Sequence, residues 1–454
     1  MQLRSMARAL QVLLSCLFAS TAAHDFAQHA VATFSELQDE FWDSKVGLWR
    51  SSMWWQSANT VEAISNLAML QQSTGPVVAK VLERVFLATS NDTVARCDKG
   101  VALTFSGYFD DELWWGLAWL RAHHLTKDAR YLNRSRAIFD DIATRSWSEA
   151  SCGGGTCWQA SRDPADMRGC YKNAITNELF LSHAAQLASL YHSRCSAAAA
   201  SHRRIIDRSE PTYDCENAEW AVEWAERALS WFRGSGMINA SSLINDGLDT
   251  FPNHEAHCLN NRQPAFTYNQ GVLLSALGHL WHLRGSGSKE RSELLVLAAS
   301  VVRAVWNSTL VYAGSGGVLR DENEATLVNG TLPNLYSGSP GTDGLQFKSV
   351  LLRHLRYLID QVVEGSGGSE EAAQSAVSHA GGNLTQWREL LARNGASIWE
   401  TAACAPSVAL VPGATVQIRP LFGYLWVGPC SWAFGGPTAT TQTAALDAFI
   451  AASY

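Results

Sequence analysis

Apolar residues recur every three to four positions along nearly the whole chain, the spacing that lines one face of an α-helix. This period predicts helices over 25–43, 54–72, 76–89, 109–125, 127–147, 172–195, 214–234, 266–284, 289–307, 342–363, 382–394 and 437–452. The segments fall into six consecutive pairs. Connections rich in Gly, Pro and Ser separate them, such as Cys152-Gly153-Gly154-Gly155 and Gly314-Ser315-Gly316-Gly317. Gly285-Ser286-Gly287-Ser288 and Gly365-Ser366-Gly367-Gly368 read as plain solvent loops, and the run Ala197–Ala200 with the Arg-rich stretch after it as a helix end or insertion. No shift in composition divides the chain, so one all-α domain is expected.

Six helical hairpins in series can close into a toroid, one helix of each pair inside and its partner outside. All inner helices then start on the same face. The second helix of each pair carries distinctive residues at or near its start: Trp54 and Trp55; Asp110 and Asp111; Asn173 and Asn177; Tyr268, Asn269 and Gln270; Asp343; and Thr441 with Gln442. The arrangement therefore predicts that polar and aromatic groups from distant parts of the sequence converge at one end of the ring.

Composition narrows the function. The 454 residues are 47% apolar, enough for a large core, and carry a net charge of −7, so nucleic acid is not an expected partner. Arg4 and Arg8 precede the apolar run Ala9–Ala19 and the small residues Thr21-Ala22-Ala23, the layout of a secretory signal peptide over 1–23. The mature domain is expected over 24–454, outside the cell or in the cell wall, as a monomer. No later segment has the length of a transmembrane span, and the C-terminus lacks the spacer and hydrophobic tail of a lipid-anchor signal. Nine cysteines follow the signal (Cys97, Cys152, Cys157, Cys170, Cys195, Cys215, Cys258, Cys404 and Cys430); most should pair, and an odd number leaves one over. Cys152 and Cys157 have no matching second pair, and His24, His254 and His257 fit no closed site, so neither metal nor cofactor is expected. Sequons stand at Asn91, Asn133, Asn239, Asn307, Asn329 and Asn383.

The candidate chemistry is in "YFDDELWW", residues 108–115, where three consecutive acids lie among Tyr108, Phe109, Trp114 and Trp115. Glycoside hydrolysis needs two carboxyl groups, one ionised and one able to give a proton, about 5–5.5 Å apart when configuration is retained. Neighbouring residues in the first turn of a helix point about 100° apart, which still lets Asp110 and Asp111 share one wall of a cleft. The helix N-terminus favours one anion, and that anion together with the indoles would keep a proton on the other. Asp140-Asp141 is the internal contrast, mid-helix among Arg and Ala, and reads as a solvated face. Trp54, Trp55, Trp114, Trp115 and Trp158 are candidate sugar platforms or core rings. Asn173, Asn177, Asn269 and Gln270 can bind hydroxyls or cap helices. Asp246, in "LINDGLD", is a loop candidate for a sugar hydroxyl or a turn, and Lys172 and Lys348 read as members of structural ion pairs.

These stretches resemble glycoside hydrolase family 76, the endo-α-1,6-mannanases. "YFDDELWWGLAWLRAH" is similar to that family's double-aspartate segment, and "GGGTCWQA" followed by "CYKNAITNELFLSHAAQLASLY" to its Gly-Trp loop and Lys-Asn helix. "FTYNQGVLLSALGHLW" and "LQFKSVLLRHLRYL" are similar to its Tyr-Asn-Gln and Phe-Lys…Arg helices. The resemblance implies an (α/α)6 barrel and retaining hydrolysis of α-1,6-mannan or mannooligosaccharides, with Asp110 as nucleophile and Asp111 as general acid/base. Two other readings stand beside it: a cell-wall mannan transglycosylase of the same fold, and a mannan-binding protein without activity. Terpene cyclisation on an all-α fold would need Asp-Asp-x-x-Asp, and Trp114 occupies the fifth position.

Overall fold

The computed structural model describes residues 25–90, 107–160, 170–202, 211–249, 258–285, 287–321, 324, 342–404, 420–430 and 436–453. The expected signal peptide, Cys97, His254, His257, Asn91 and Asn329 lie outside these residues. The helices are α1 (25–41), α2 (Trp54–Leu70), α3 (Gly75–Thr89), α4 (Phe109–Thr126), α5 (Ala129–Arg145), α6 (Ala174–His202), α7 (Pro211–Gly234), α8 (Thr267–Leu283), α9 (Lys289–Trp306), α10 (Phe347–Glu364), α11 (Glu370–His379), α12 (Leu384–Thr401) and α13 (Ala439–Ala452).

The second helices of the expected pairs form a closed ring, in which α2 packs on α4, α4 on α6, α6 on α8, α8 on α10, α10 on α13 and α13 back on α2. Outside them, α3, α5, α7, α9 and α12 pack against this ring, and α1 joins α12 and α13 through the stacking of His29 on Trp399 at 3.5 Å and the Gln442 side chain on the Thr33 carbonyl. This is the (α/α)6 barrel. Position in the ring follows from sequence: α5 confines its buried residues to one stripe, whereas every residue of α13 is buried. Inner helices also approach closely. A Cβ on Gly271 of α8 would stand 2.5 Å from the Cα of Leu351 on α10.

Polar pairs tie the ring across its inner seams. Thr60 of α2 meets Thr443 of α13 at 2.9 Å, Ser182 of α6 meets Ser275 of α8 at 2.8 Å, and Arg353 of α10 holds Asp447 of α13 at 2.8 Å. Lys348 forms the ion pair expected of it, with Glu324, both fully buried. Lys172 does not: its Nζ donates to the carbonyls of Gly155 and Ser148 and lies 3.8 Å from Cys157 Sγ.

Two expectations need correction. The segment after Gly365–Gly368 contains α11, a short helix whose start is capped by Ser369, accepting from Ala372 N, with Glu370 and Glu371 in the first turn. The helix expected over 382–394 instead runs Leu384–Thr401, straight through Gly395. That glycine serves close packing rather than termination, since a Cβ there would be 3.0 Å from Phe26 and 3.2 Å from Ala452. Eight of the nine cysteines pair, as Cys152–Cys258, Cys157–Cys170, Cys195–Cys215 and Cys404–Cys430. Among the described residues no helix is long and apolar enough to cross a membrane, and no cluster of metal-ligating side chains occurs.

Candidate active site

The heads of α2, α4, α6, α8, α10 and α13 lie at one end of the ring, and contacts between them build a single surface. At the head of α4, Tyr108 is the extended N-cap residue and the first turn holds Asp110, Asp111 and Glu112, where the helix N-terminus favours negative charge. The three acids part company. Glu112 is buried, both oxygens lack a hydrogen-bond partner among the described residues, and its nearest cation is Arg145 at 3.9 Å. Burial pushes Glu112 up to about 8. Asp110 and Asp111 are half-buried at the open end.

Asp110 Oδ2 accepts the indole N–H of Trp158 at 3.0 Å, while Oδ1 is buried without a partner among the described residues. Burial, then the adjacent charge of Asp111, pushes the Asp110 carboxyl up to about 8; the Trp158 N–H works against that rise. Asp140 and Asp141, by contrast, form i,i+4 pairs with Arg136 and Arg145 on the outer helix, as their solvated reading expects.

Around the pair, Tyr108 is exposed and lies 4.7 Å from the half-buried ring of Trp158, which meets Tyr171 edge-on at 6.0 Å. The Tyr171 hydroxyl donates to Asp246 Oδ2 and accepts from Asn261 at 2.9 Å. Asp246 reaches this place because its loop is zipped to the start of α6: Ala174 N donates to the Asp246 carbonyl at 2.7 Å and Leu248 N to Lys172 at 2.9 Å. Burial raises the Asp246 carboxyl, and Tyr171 opposes it. Tyr268 stacks on Phe347 at 3.8 Å; burial first, then the charges of Asp246, Asp110, Glu178 and Asp343, raise its hydroxyl well above the usual range. Asp343 is exposed and accepts the Trp55 indole N–H at 3.2 Å. Trp54 is half-buried, tilted against Trp115 at 4.9 Å.

Several expected ligand contacts prove to be framework. Trp55, Trp114 and Trp115 are 7%, 2% and 3% exposed and interlock as core rings, so they back the wall and offer no open platform. Asn173 caps α6 through Thr176 N. Asn177 brackets residue 156, accepting from Thr156 N at 2.7 Å and donating to its carbonyl at 3.1 Å. Gln270 treats Ile244 the same way, at 2.9 and 2.8 Å. Gln442 likewise accepts from Phe422 N and donates to Pro420 O. A carboxamide presents both a donor and an acceptor, as a peptide group does, so near the head of an inner helix it pins the loop above. Asn269 is fully buried, with neither polar atom partnered among the described residues. Replacing Gln270 with Ala should therefore cost roughly 1–3 kcal/mol, because it strands two buried backbone groups. Denaturant melts would measure this; a rise in ligand dissociation constant without loss of stability would contradict the framework role.

Two residues escaped the sequence reading. Tyr171 follows Cys170 just outside the helical period, and nothing in its neighbours marks it. Glu178 is fully buried on α6 with both oxygens unpartnered among the described residues, and burial and Asp246 hold its carboxyl well above the usual range. An acid at an all-round-buried helix position was its available signal.

Residues 18–201 and 212–371 match the sequence model of Glycosyl hydrolase family 76. The chain is similar to the mannan endo-1,6-alpha-mannosidase DCW1 of Saccharomyces cerevisiae, 27% identical over 185 residues that cover 39% of this chain and 34% of that protein. With the Candida glabrata protein of that name it is 26% identical over 211 residues, 45% and 40% of the two chains. The matched part thus spans about a third to two fifths of these curated relatives. Among solved structures, the fold is similar to an inactive variant, with two consecutive aspartates replaced by alanine, of the α-1,6-mannanase GH76A of Salegentibacter sp. HEL1_6 in complex with α-1,6-mannotetrose. The TM-score is 0.65 at 19% identity, over 94% of this chain and 98% of that one. Dfg5 from Chaetomium thermophilum, in complex with glucosamine, gives a TM-score of 0.62 at 15% identity over 94% and 90%.

Proposed function

The chain belongs to glycosyl hydrolase family 76, and on that premise we propose that it is a secreted, retaining glycoside hydrolase that cleaves α-1,6-mannosidic linkages within mannan. The observation that carries this reading is the consecutive pair Asp110-Asp111 at the head of an inner helix, half-buried on the open face and held by an indole N–H. The GH76A variant lacking two consecutive aspartates, described as inactive, supports the same reading. The four disulfides suit an oxidising compartment.

In this mechanism Asp110 attacks the anomeric carbon as a carboxylate. The C1–O bond breaks, its electron pair goes to the leaving oxygen, and Asp111 protonates that oxygen. Asp111, now ionised, takes a proton from water; the water oxygen bonds to C1, and the Asp110–C1 ester bond breaks with its electrons returning to Asp110. The active pair therefore carries one proton and one charge. Tyr108, Trp158, Tyr171, Asp246, Tyr268 and Asp343 form the wall that a mannosyl chain would meet.

Incubating the protein with linear α-1,6-mannan and resolving the products tests the substrate. Shorter mannooligosaccharides are expected, and an unchanged polymer would refute the proposal. The pH dependence is a second expectation. With Asp110 pushed up to about 8 beside Asp111, the two carboxyls titrate as a unit that shares one proton below that pH, the reactive form being the one with the proton on Asp111, and loses it above. The rate constant kcat/KM should fall about tenfold per unit of pH above about 8, because no acid remains for the leaving group. A profile flat to pH 10 would contradict it.

A further inference from the structure

Residues 155–158 are secured from every side. The disulfide Cys157–Cys170 closes the segment covalently, and Cys157 N donates to the Ser146 carbonyl at 3.0 Å. The fully buried Lys172 donates to Gly155 O, and the Asn177 amide holds both backbone groups of Thr156. Trp158 is paired on both flanks: its N–H donates to Tyr171 O at 2.8 Å, and its carbonyl accepts from Phe109 N at 2.8 Å. The product of this framework is one contact, the indole N–H on Asp110 Oδ2 at 3.0 Å.

An indole N–H can only donate and does not titrate in the working range, so this bond always favours a lone pair on that oxygen. With Oδ2 occupied, Oδ1 is the oxygen without a partner. We infer that Trp158 is the positioning residue of the nucleophile: its N–H fixes the orientation of the Asp110 carboxyl, and Lys172 with the Cys157–Cys170 disulfide clamps Trp158 in place. This rests on Asp110 acting as the nucleophile. It differs from a sugar-platform role, in which the ring face and not the N–H would matter. The direction of the Trp158 effect on Asp110 agrees, since the N–H lowers a carboxyl that burial and Asp111 raise. The bond thus helps the carboxylate exist where its surroundings resist charge.

Trp158→Phe separates the two roles, because phenylalanine keeps an aromatic face between Tyr108 and Tyr171 and loses the donor. On linear α-1,6-mannan, kcat should fall about 10- to 100-fold, the worth of a hydrogen bond to a charged group, with KM within about threefold. An unchanged kcat, or a rise in KM alone, would overturn the inference. A second readout needs no substrate and survives failure of the hydrolase reading. Infrared titration of the Asp110 carboxyl, identified by its absence in Asp110→Asn, should move up by about one pH unit in Trp158→Phe. Asp111 on α4 and Tyr268 on α8, the other ionisable groups that act on Asp110 or feel its charge, are untouched by the change. No movement would overturn the role of the N–H. The double variant Cys157→Ser/Cys170→Ser should lower kcat in the same direction at constant KM; an unchanged kcat there would remove the clamp.

Discussion

Asp110→Asn should lower kcat on α-1,6-mannan by at least about 10³-fold while the protein stays folded. Asparagine is isosteric, and its carbonyl still accepts the Trp158 N–H, so the framework that meets Asp110 at 3.0 Å is not disturbed. What is lost is the nucleophile, and without it no covalent intermediate forms. Asp111→Asn should lower kcat on mannan by about 10²–10⁴-fold, the usual worth of a positioned acid and base. A substrate whose leaving group needs no proton should recover the first step in Asp111→Asn and nothing in Asp110→Asn. Asp140→Asn and Asp141→Asn, which remove only exposed i,i+4 pairs, should leave kcat unchanged and stability within about 0.5 kcal/mol. Stopped assays on the four variants at one pH decide this, and comparable activity in Asp110→Asn would withdraw the assignment.

The second large effect is on stability. Lys348 and Glu324 form an ion pair with both side chains fully buried, and Lys348 also donates to Tyr424 O at 2.8 Å. Glu324 accepts the Tyr312 hydroxyl at 2.7 Å as well. Lys348→Met removes the cation and leaves a buried carboxylate without its counter-ion, which should cost about 3–5 kcal/mol. Adding Glu324→Gln should restore most of that, since removing both charges also removes their desolvation penalty. Denaturant midpoints of the single and double variants measure both terms. A single variant that costs under about 1 kcal/mol would mean that the pair contributes little.

The ring was legible because its cause is periodic. Outer helices such as α5 carry an apolar repeat near 3.6 residues, inner ones such as α13 are buried on all sides, and pairing follows from the short connections, so the placement of Asp110, Tyr268 and Asp343 at one end could be expected from sequence alone. Side-chain duty was less legible. Gln270 and Asn177 stand where ligand-binding amides would stand, and only the loops that return over them, at Ile244 and Thr156, reveal that their hydrogen bonds are already used. Trp114 and Trp115 have the same composition signal as an open platform, and exposure alone separates the two. Glu178 has only a weak signal, an acid inside a helix buried on all sides, since such a residue has no periodic signature of its own. α11 follows the Gly365–Gly368 loop directly, and α12 continues past the expected end at 394 because Gly395 answers to the proximity of Phe26 and Ala452.

The central step is the bond between Asp110 and the sugar, and stereochemistry tests it directly. Adjacent aspartates leave little room for a water between base and anomeric carbon, for which an inverting enzyme needs about 6.5–9.5 Å between its carboxyls. Double displacement through Asp110 returns the original configuration. A proton NMR time course of α-1,6-mannan cleavage should therefore show the α-anomer of the new reducing end first, with the β-anomer growing in only by mutarotation. Initial appearance of the β-anomer would contradict the mechanism even if both aspartates proved essential.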